Sequence, residues 1–252
     1  MPEWRHWHTS AEPEAVLEDG KCKNAVYMGF ELETDGYDRS YDNSRAAARA
    51  VSESGVCLCK GDGSLSSYGV EYVSHPRTLL SHKAFDWPGR FQTILSKGGR
   101  SYDCSSSCGL HIHVNRECLS PARWRALDQF VNANEVQCMR FAQRRHSNWA
   151  RFDSQLNQST REEAKAGHYR YVAINFCNYS TIEFRFFKGT LHYPRFLASL
   201  EFVDGLVWWI KRWPAKDTGG TWEDFCRYLA QNEERYAECI AYMKHRELWP
   251  IG

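Results

Sequence analysis

The 252-residue sequence has no apolar run near the roughly 20 residues that a membrane helix requires. Its longest candidate, around Leu206–Ile210, is short and is followed at once by Lys211 and Arg212. No signal-peptide core is present either: Met1–Asp19 is polar and carries Glu and His. A cytoplasmic location and no membrane partner are the expectation. Net charge is also nearly missing, at +1. No global field draws the chain to nucleic acid, and none is expected as a partner, although a local basic groove stays possible. There is no internal repeat and no low-complexity block, which argues against a repeat array.

What is present is ordinary in bulk. Hydrophobic residues make up 42% and charged residues 25%, as in a soluble domain, with abundant aromatics at 14%. The length suits one large domain or two small ones. Ten cysteines are many. Without an export signal, reduced thiols are expected rather than disulfides. Cys104 and Cys108 have the spacing of a zinc half-site, whereas Cys57 and Cys59 are too close for the usual knuckle. Buried thiols acting as small apolar residues are the simpler reading.

The first 24 residues read as a flexible tail, with a single folded unit over 25–252. Strand-like text begins at Ala25. Val26, Met28, Phe30 and Leu32 alternate with Tyr27, Gly29, Glu31 and Glu33, which is period two. Ser44–Ser52 is a helix candidate, Gly61–Gly69 a turn region, and Val70–Ser74 a short strand. Gly109–Asn115 alternates again, with Leu110, Ile112 and Val114 opposite His111, His113 and Asn115. Ser120-Pro121 opens a long helix, as N-cap and first helical residue, and helical spacing continues through Leu127, Val131, Asn134 and Cys138. The polar stretch Ser147–Gly167 reads as an irregular mobile loop or lid, or equally as a surface insertion without function. Tyr169–Phe176 and Thr181–Phe187 read as strands joined by a turn at Cys177–Ser180. A helix is expected from Pro194 to Arg212. Thr221 and Asp224 form a capping box that starts the C-terminal helices. This mixed order predicts an α+β fold with a largely antiparallel sheet flanked by helices.

One pattern recurs on separate strands. Glu31 and Glu33, His111 and His113, and Glu183 and Arg185 are each two residues apart, so each pair leaves one face of its strand. Ile182, Phe184 and Phe186 cover the opposite face of the last strand. Clustered carboxylates repel unless a cation neutralises them. Carboxylates with one or two imidazoles suit Mg²⁺ or Mn²⁺ better than structural zinc. An arginine beside them suits phosphate. Carboxylates, a divalent ion and arginine are the parts that phosphoryl transfer from ATP requires. Taken singly, each pair has a plainer explanation: a solvated strand edge, surface or core histidines, an ion pair.

Four segments occur in the order of a known family. GFELET (Gly29–Thr34), DGSLSSYGVEYVSHP (Asp62–Pro76), CGLHIHVN (Cys108–Asn115) and TIEFRFFKGT (Thr181–Thr190) resemble the motifs of the putative amidoligase family. That family belongs to the glutamine synthetase and glutamate–cysteine ligase superfamily. The resemblance covers Val26 to Thr190 and implies a catalytic sheet of glutamine synthetase type. It further implies that Glu31, Glu33, Glu71, His111 and Glu183 bind metal, with Glu31 and Glu33 divided between two sites. His113, Arg170 and Arg185 would contact the nucleotide. Arg185, Glu71 and Lys188 would take catalytic parts, Arg185 on the transferring phosphate and Lys188 on phosphate or carboxylate. Asp62 could be a ligand, but Asp-Gly-Ser is ordinary turn chemistry. The chain departs from glutamine synthetase in lacking a placeable second acidic residue between Glu71 and His111. Asp86 and Asp103 fit poorly.

The implied activity is ATP- and metal-dependent joining of a carboxylate to an amine through an acyl phosphate. Neither substrate is named by the sequence, and the oligomeric state is not either. Two other readings use the same residues: a metal-dependent hydrolase or nuclease built on the Glu/His cluster, and a zinc-stabilised binding module without turnover.

Overall fold

Alternation in the first strand positions the rest. In β1 (Met28–Gly36), Met28, Phe30 and Leu32 are buried on one side, while Glu31 and Glu33 leave the other. A computed structural model describes residues 25–53, 55–101, 108–144, 147–212 and 220–250. The tail expected over residues 1–24 lies outside them. The further strands are β2 (Cys57–Lys60), β3 (Val70–Ser74), β4 (Gly99–Arg100), β5 (Gly109–Asn115), β6 (Ile174–Asn175) and β7 (Thr181–Lys188). They form a seven-stranded sheet in the order β2-β3-β1-β5-β7-β6, with β4 on the end of β1. Every named pair is antiparallel. The fold is α+β, as expected.

Helices cover the apolar face. The helices α1 (Tyr41–Ser52), α2 (Leu79–Ala84) and α3 (Trp87–Ser96) fill the gaps between the early strands. The central helix α7 (Tyr193–Arg212) sets Phe196 edge-on to Phe30 at 4.9 Å, and Phe202 against Phe187 at 6.1 Å. Each buried phenylalanine contributes about 1.5–3 kcal/mol, so this aromatic seam fixes the sheet to the helical layer. The outer helices α8 (Trp222–Ala230) and α9 (Ala237–His245) pack on α7, which leaves Glu201 and Asp204 of α7 fully buried. Both are satisfied. Lys83 lies 2.7 Å from Glu201, the Cys239 N–H donates to it, and Arg235 and the Tyr236 hydroxyl hold Asp204. No helix among the described residues is long and apolar enough to cross a membrane.

Several expectations need correction. The helix expected at Ser44 begins at Tyr41, because Ser40 caps it by accepting the Asn43 N–H. The helix opened by Ser120 is two helices, α4 (Pro121–Ala133) and α5 (Glu135–Ala142). Asn134 breaks it with a non-helical backbone and turns its side-chain amide onto the Phe130 carbonyl. The stretch Ser147–Gly167 is not irregular throughout. It holds a 3₁₀ turn at Asp153–Gln155 and α6 (Gln158–Lys165), capped by Asn157. Ala164 of α6 packs with Leu156 and Val172 in a small second core. Of the strand expected over Tyr169–Phe176, only Ile174–Asn175 joins the sheet, with Val172 in an isolated bridge to Arg151. The strands β2 and β4 and the helices α2 and α3 were not anticipated. Cys57, Cys59, Cys108 and Cys118 are buried, as small apolar residues, while Cys104 lies outside the described residues.

One buried histidine ties α2 to β1. His82 is fully buried and its Nε2 donates to the Met28 carbonyl at 2.9 Å, while its Nδ1 has no partner. Burial drives its pKa down to about 4, with help from Arg77 and against the pull of the Met28 bond. An unfolded histidine titrates near 6.5, so the unfolded chain takes up this proton first. The stability is fully present above about pH 6.5 and is lost as pH falls towards 4, by about 3 kcal/mol for a shift of this size. Urea unfolding at about pH 7 and pH 4.5 should therefore show a steeper loss for the native chain than for His82→Gln. Equal losses would remove His82 as the cause.

Candidate functional site

Register converts the separate pairs into one cluster. Glu33 pairs with Glu71 across β1 and β3, Glu31 with His111 across β1 and β5, and His113 with Glu183 across β5 and β7. Lys60 of β2 stands opposite Glu71, and Asn175 of β6 opposite Glu183. Directly opposed residues share a face, so all of these side chains meet above one side of the sheet. Glu33, Glu71, His111, Glu183 and Arg185 are buried there, and Glu31 is partly open.

The contacts are close. His111 Nδ1 lies 3.3 Å from Glu31 Oε2 and 3.4 Å from Glu183 Oε1. His113 Nε2 lies 3.5 Å from Glu31 Oε1 and 3.9 Å from Glu183 Oε1. The Arg185 guanidinium donates to Glu183 Oε1, and Asn175 and Asn178 donate to its Oε2 at 2.7 and 3.3 Å. Burial alone would raise the Glu31 carboxyl, yet both histidines hold it well below its usual range. Glu183 is likewise lowered against burial, by His113, Arg185 and His111. The His113 imidazole is raised despite burial, chiefly by Glu31. Glu71 behaves oppositely. Burial, then repulsion from Glu31, pushes it up to about 8, although Lys60 sits 2.8 Å away. Lys60 opposes that rise without cancelling it. This end of the cluster is short of positive charge.

Such an arrangement fits a divalent ion. Glu31, Glu71 and His111 form one triad, and Glu31, His113 and Glu183 another. In each, one ligand atom per residue lies within 4.8 Å of the others. Ligands at about 2.0–2.2 Å from one ion stand about 3–4.4 Å apart, so only slight contraction is needed. Two buried atoms point the same way. Among the described residues, His113 Nε2 and Glu71 Oε2 make no hydrogen bond of good geometry, although Glu31 lies 3.5 Å from the first and Lys60 2.8 Å from the second. The Thr181 hydroxyl, 3.2 Å from His113 Nδ1, fixes that ring with Nε2 towards the carboxylates.

The expected residues divide by position. Glu31, Glu71, His111, His113, Glu183 and Arg185 come together. Glu33 is adjacent but lies outside both triads, with its Oε2 accepting the Gly109 N–H at 2.5 Å. Lys188 pairs with Gly109 at the far end of β7. Arg170 is exposed, with its guanidinium 5.4 Å over the Tyr171 ring. Asp62 makes a turn, accepting the Ser64 N–H, and Asp86 caps α3. Asp103 lies outside the described residues.

Other side chains that shape the site carry no motif. Lys60 was detectable only as the last residue of the alternating Cys-Leu-Cys-Lys. Arg116 donates to the Phe176 and Asn178 carbonyls and so holds the loop that brings Asn175 and Asn178 to Glu183. A bulge in β7 sets Arg185 and Phe186 opposite His111 alone. The extra residue lets Arg185 stay on the polar face while Phe186 and Phe187 are both buried. Arg144 follows α5 and donates to the carbonyls of Arg185 and Phe187, at 3.0 and 3.1 Å, on either side of the extra residue. A cleft of about 1120 Å³ opens from Glu31 and His113 towards α4 and the end of α6, past Thr181, Trp124 and Phe176.

No family model matches the chain, and no curated protein matches it. The resemblance to the amidoligases therefore rests on the four sequence motifs alone.

The bulge gives a direct test. Arg144→Leu would leave two carbonyls without their donor and should cost about 2–3 kcal/mol in urea unfolding. Arg144→Lys, which keeps a donor, should recover part of this. A neutral Arg144→Leu would mean that the bulge stands without its clamp.

Proposed function

We propose that this chain is an ATP- and divalent-metal-dependent ligase that joins a carboxylate to an amine through an acyl phosphate. The observation that carries the reading is the double triad around Glu31 with Arg185 beside it, on one face of an antiparallel sheet. Glu31, Glu71, His111, His113 and Glu183 would hold Mg²⁺ or Mn²⁺, with Glu31 shared. Bound there, the cation would screen the phosphate oxygens of ATP.

The chain's own residues supply the rest. Arg185 has its planar guanidinium fixed by Glu183 and by the Trp149 carbonyl, which suits a transferring phosphoryl group. Asn175 and Asn178 keep Glu183 in place, and Thr181 keeps His113 in place. In the reaction, a substrate carboxylate oxygen attacks the γ-phosphorus, and the bond to the ADP oxygen breaks. The amine nitrogen then attacks the acyl carbon, phosphate leaves, and the nitrogen gives up a proton. The cleft beside Glu31 and His113 supports entry of an extended substrate from the α4 side. A hydrolase built on the same cluster would not require ATP.

Two measurements test this reading. Glu31→Gln removes the ligand common to both triads and should lower Mn²⁺ affinity, read by calorimetry, about 100-fold. Glu33→Gln should change it much less, since Glu33 lies outside both triads. Equal effects would argue against the shared-ligand arrangement. Hydroxylamine with ATP, Mg²⁺ and a panel of carboxylates should give a hydroxamate and ADP in equal amounts. AMP and pyrophosphate would instead indicate an acyl adenylate and overturn the proposal.

A further inference from the structure

The cleft that opens from the cluster has a carboxylate in its wall that the ligase chemistry leaves unassigned. Asp128 sits on α4, facing the cavity with Trp124 and Gln129 of the same helix. It is only 8% exposed. Its Oδ1 accepts the Asn132 side-chain amide at 3.0 Å, and among the described residues no donor reaches Oδ2. Several charged groups surround it, and Arg151 of the adjoining small cavity donates to the Asn148 side chain. Lys165 of α6 lines the same cleft but makes its ion pair with Asp153, at 3.4 Å. Arg116 holds the Phe176 and Asn178 carbonyls. Arg125, one turn back on α4, is exposed at the rim.

A buried carboxylate that faces a cavity without a dedicated counter-ion is costly to keep charged. Burial, then repulsion from Asp153, pushes Asp128 up to about 7, with Lys165 and Asn132 opposing the rise. A cationic ligand would relieve this cost. The same cleft offers apolar wall for the hydrocarbon part of such a ligand, from Leu119, Trp124, Phe176 and Tyr179. Trp124 is held in place by its ring N–H on the Arg116 carbonyl. Aromatic rings beside a carboxylate favour an alkylammonium group.

We infer that the α4 side of the cleft is a subsite for an alkylammonium group, with Asp128 as its counter-ion and Trp124 and Phe176 as its apolar walls. The inference rests on the ligase reading only in treating the ligand as part of a substrate. It places positive charge on that substrate, away from the Glu/His cluster.

The test uses the full chain without ATP and with chelator, so that binding is read apart from turnover. Calorimetric titration compares 1-aminobutane and 1,4-diaminobutane with 1-butanol. Both amines should bind saturably and the alcohol should not. Asp128→Asn, which preserves shape, should weaken amine binding at least about tenfold. Gln129→Lys, at an exposed position on the same wall, adds a competing charge and should weaken it too, with an unchanged melting curve. Failure of both amines to bind, or amine affinity in Asp128→Asn equal to that of the unaltered chain, would overturn the subsite. The two proposals separate cleanly. Asp128-dependent amine binding without any hydroxamate product keeps the subsite and removes the ligase. Hydroxamate formation with amine binding indifferent to Asp128 does the reverse.

Discussion

Repulsion among carboxylates on one face of a sheet is the constraint around which the molecule is arranged. Antiparallel register sets Glu33 opposite Glu71 and leaves Glu31 and Glu183 within reach of the same two imidazoles. Like charges at this spacing oppose folding unless they are compensated. The compensation is uneven. Glu31 and Glu183 sit among His111, His113 and Arg185 and stay ionised easily. Glu71 is raised by burial and by Glu31, although Lys60 lies 2.8 Å away. A site whose acids are only partly neutralised by its own bases is one that gains from a cation.

Holding such a face together requires a rigid back. The apolar side of the sheet is packed by α7 through a seam of aromatic rings, and α7 is in turn covered by α8 and α9. The acids that this burial traps within α7 are each given a base or a backbone donor. The polar groups of the site can therefore sit at fixed distances without relying on one another for position. The bulge in β7 is part of the same solution. It lets one strand present Arg185 to the site and two consecutive phenylalanines to the core, with Arg144 bonding the carbonyls that flank the irregularity.

Elements outside the sheet decide what can approach. The break at Asn134 ends α4 early, and α6 closes back so that Lys165 and Gly167 face Trp124 and Asp128 across the cleft. The polar segment between Ser147 and Gly167 is thus a wall of that cleft for part of its length. Its small core of Leu156, Ala164 and Val172 is too slight to stand alone and is tied to the sheet through the bridge between Arg151 and Val172.

Much of this was legible in the residues. Period-two alternation at Met28–Leu32, Leu110–Val114 and Ile182–Phe186 tells which face is apolar, because a strand has only two faces. The Ser120-Pro121 and Thr221–Asp224 signals mark helix starts, because a cap is a local hydrogen bond. Glu31, His111 and Glu183 could therefore be assigned to polar faces from the sequence alone. Which of them meet could not. Register is a pairing between distant segments, such as Met28 with Val114, and it separates Glu31, shared by both triads, from Glu33, turned onto Gly109. The short β2 and β6 acquire their identity from the strands beside them, so nothing in the sequence tied Lys60 or Asn175 to the site. Arg144 and Asp128 carry no pattern because their roles come from a bulge and a cavity, which exist only once distant segments are packed.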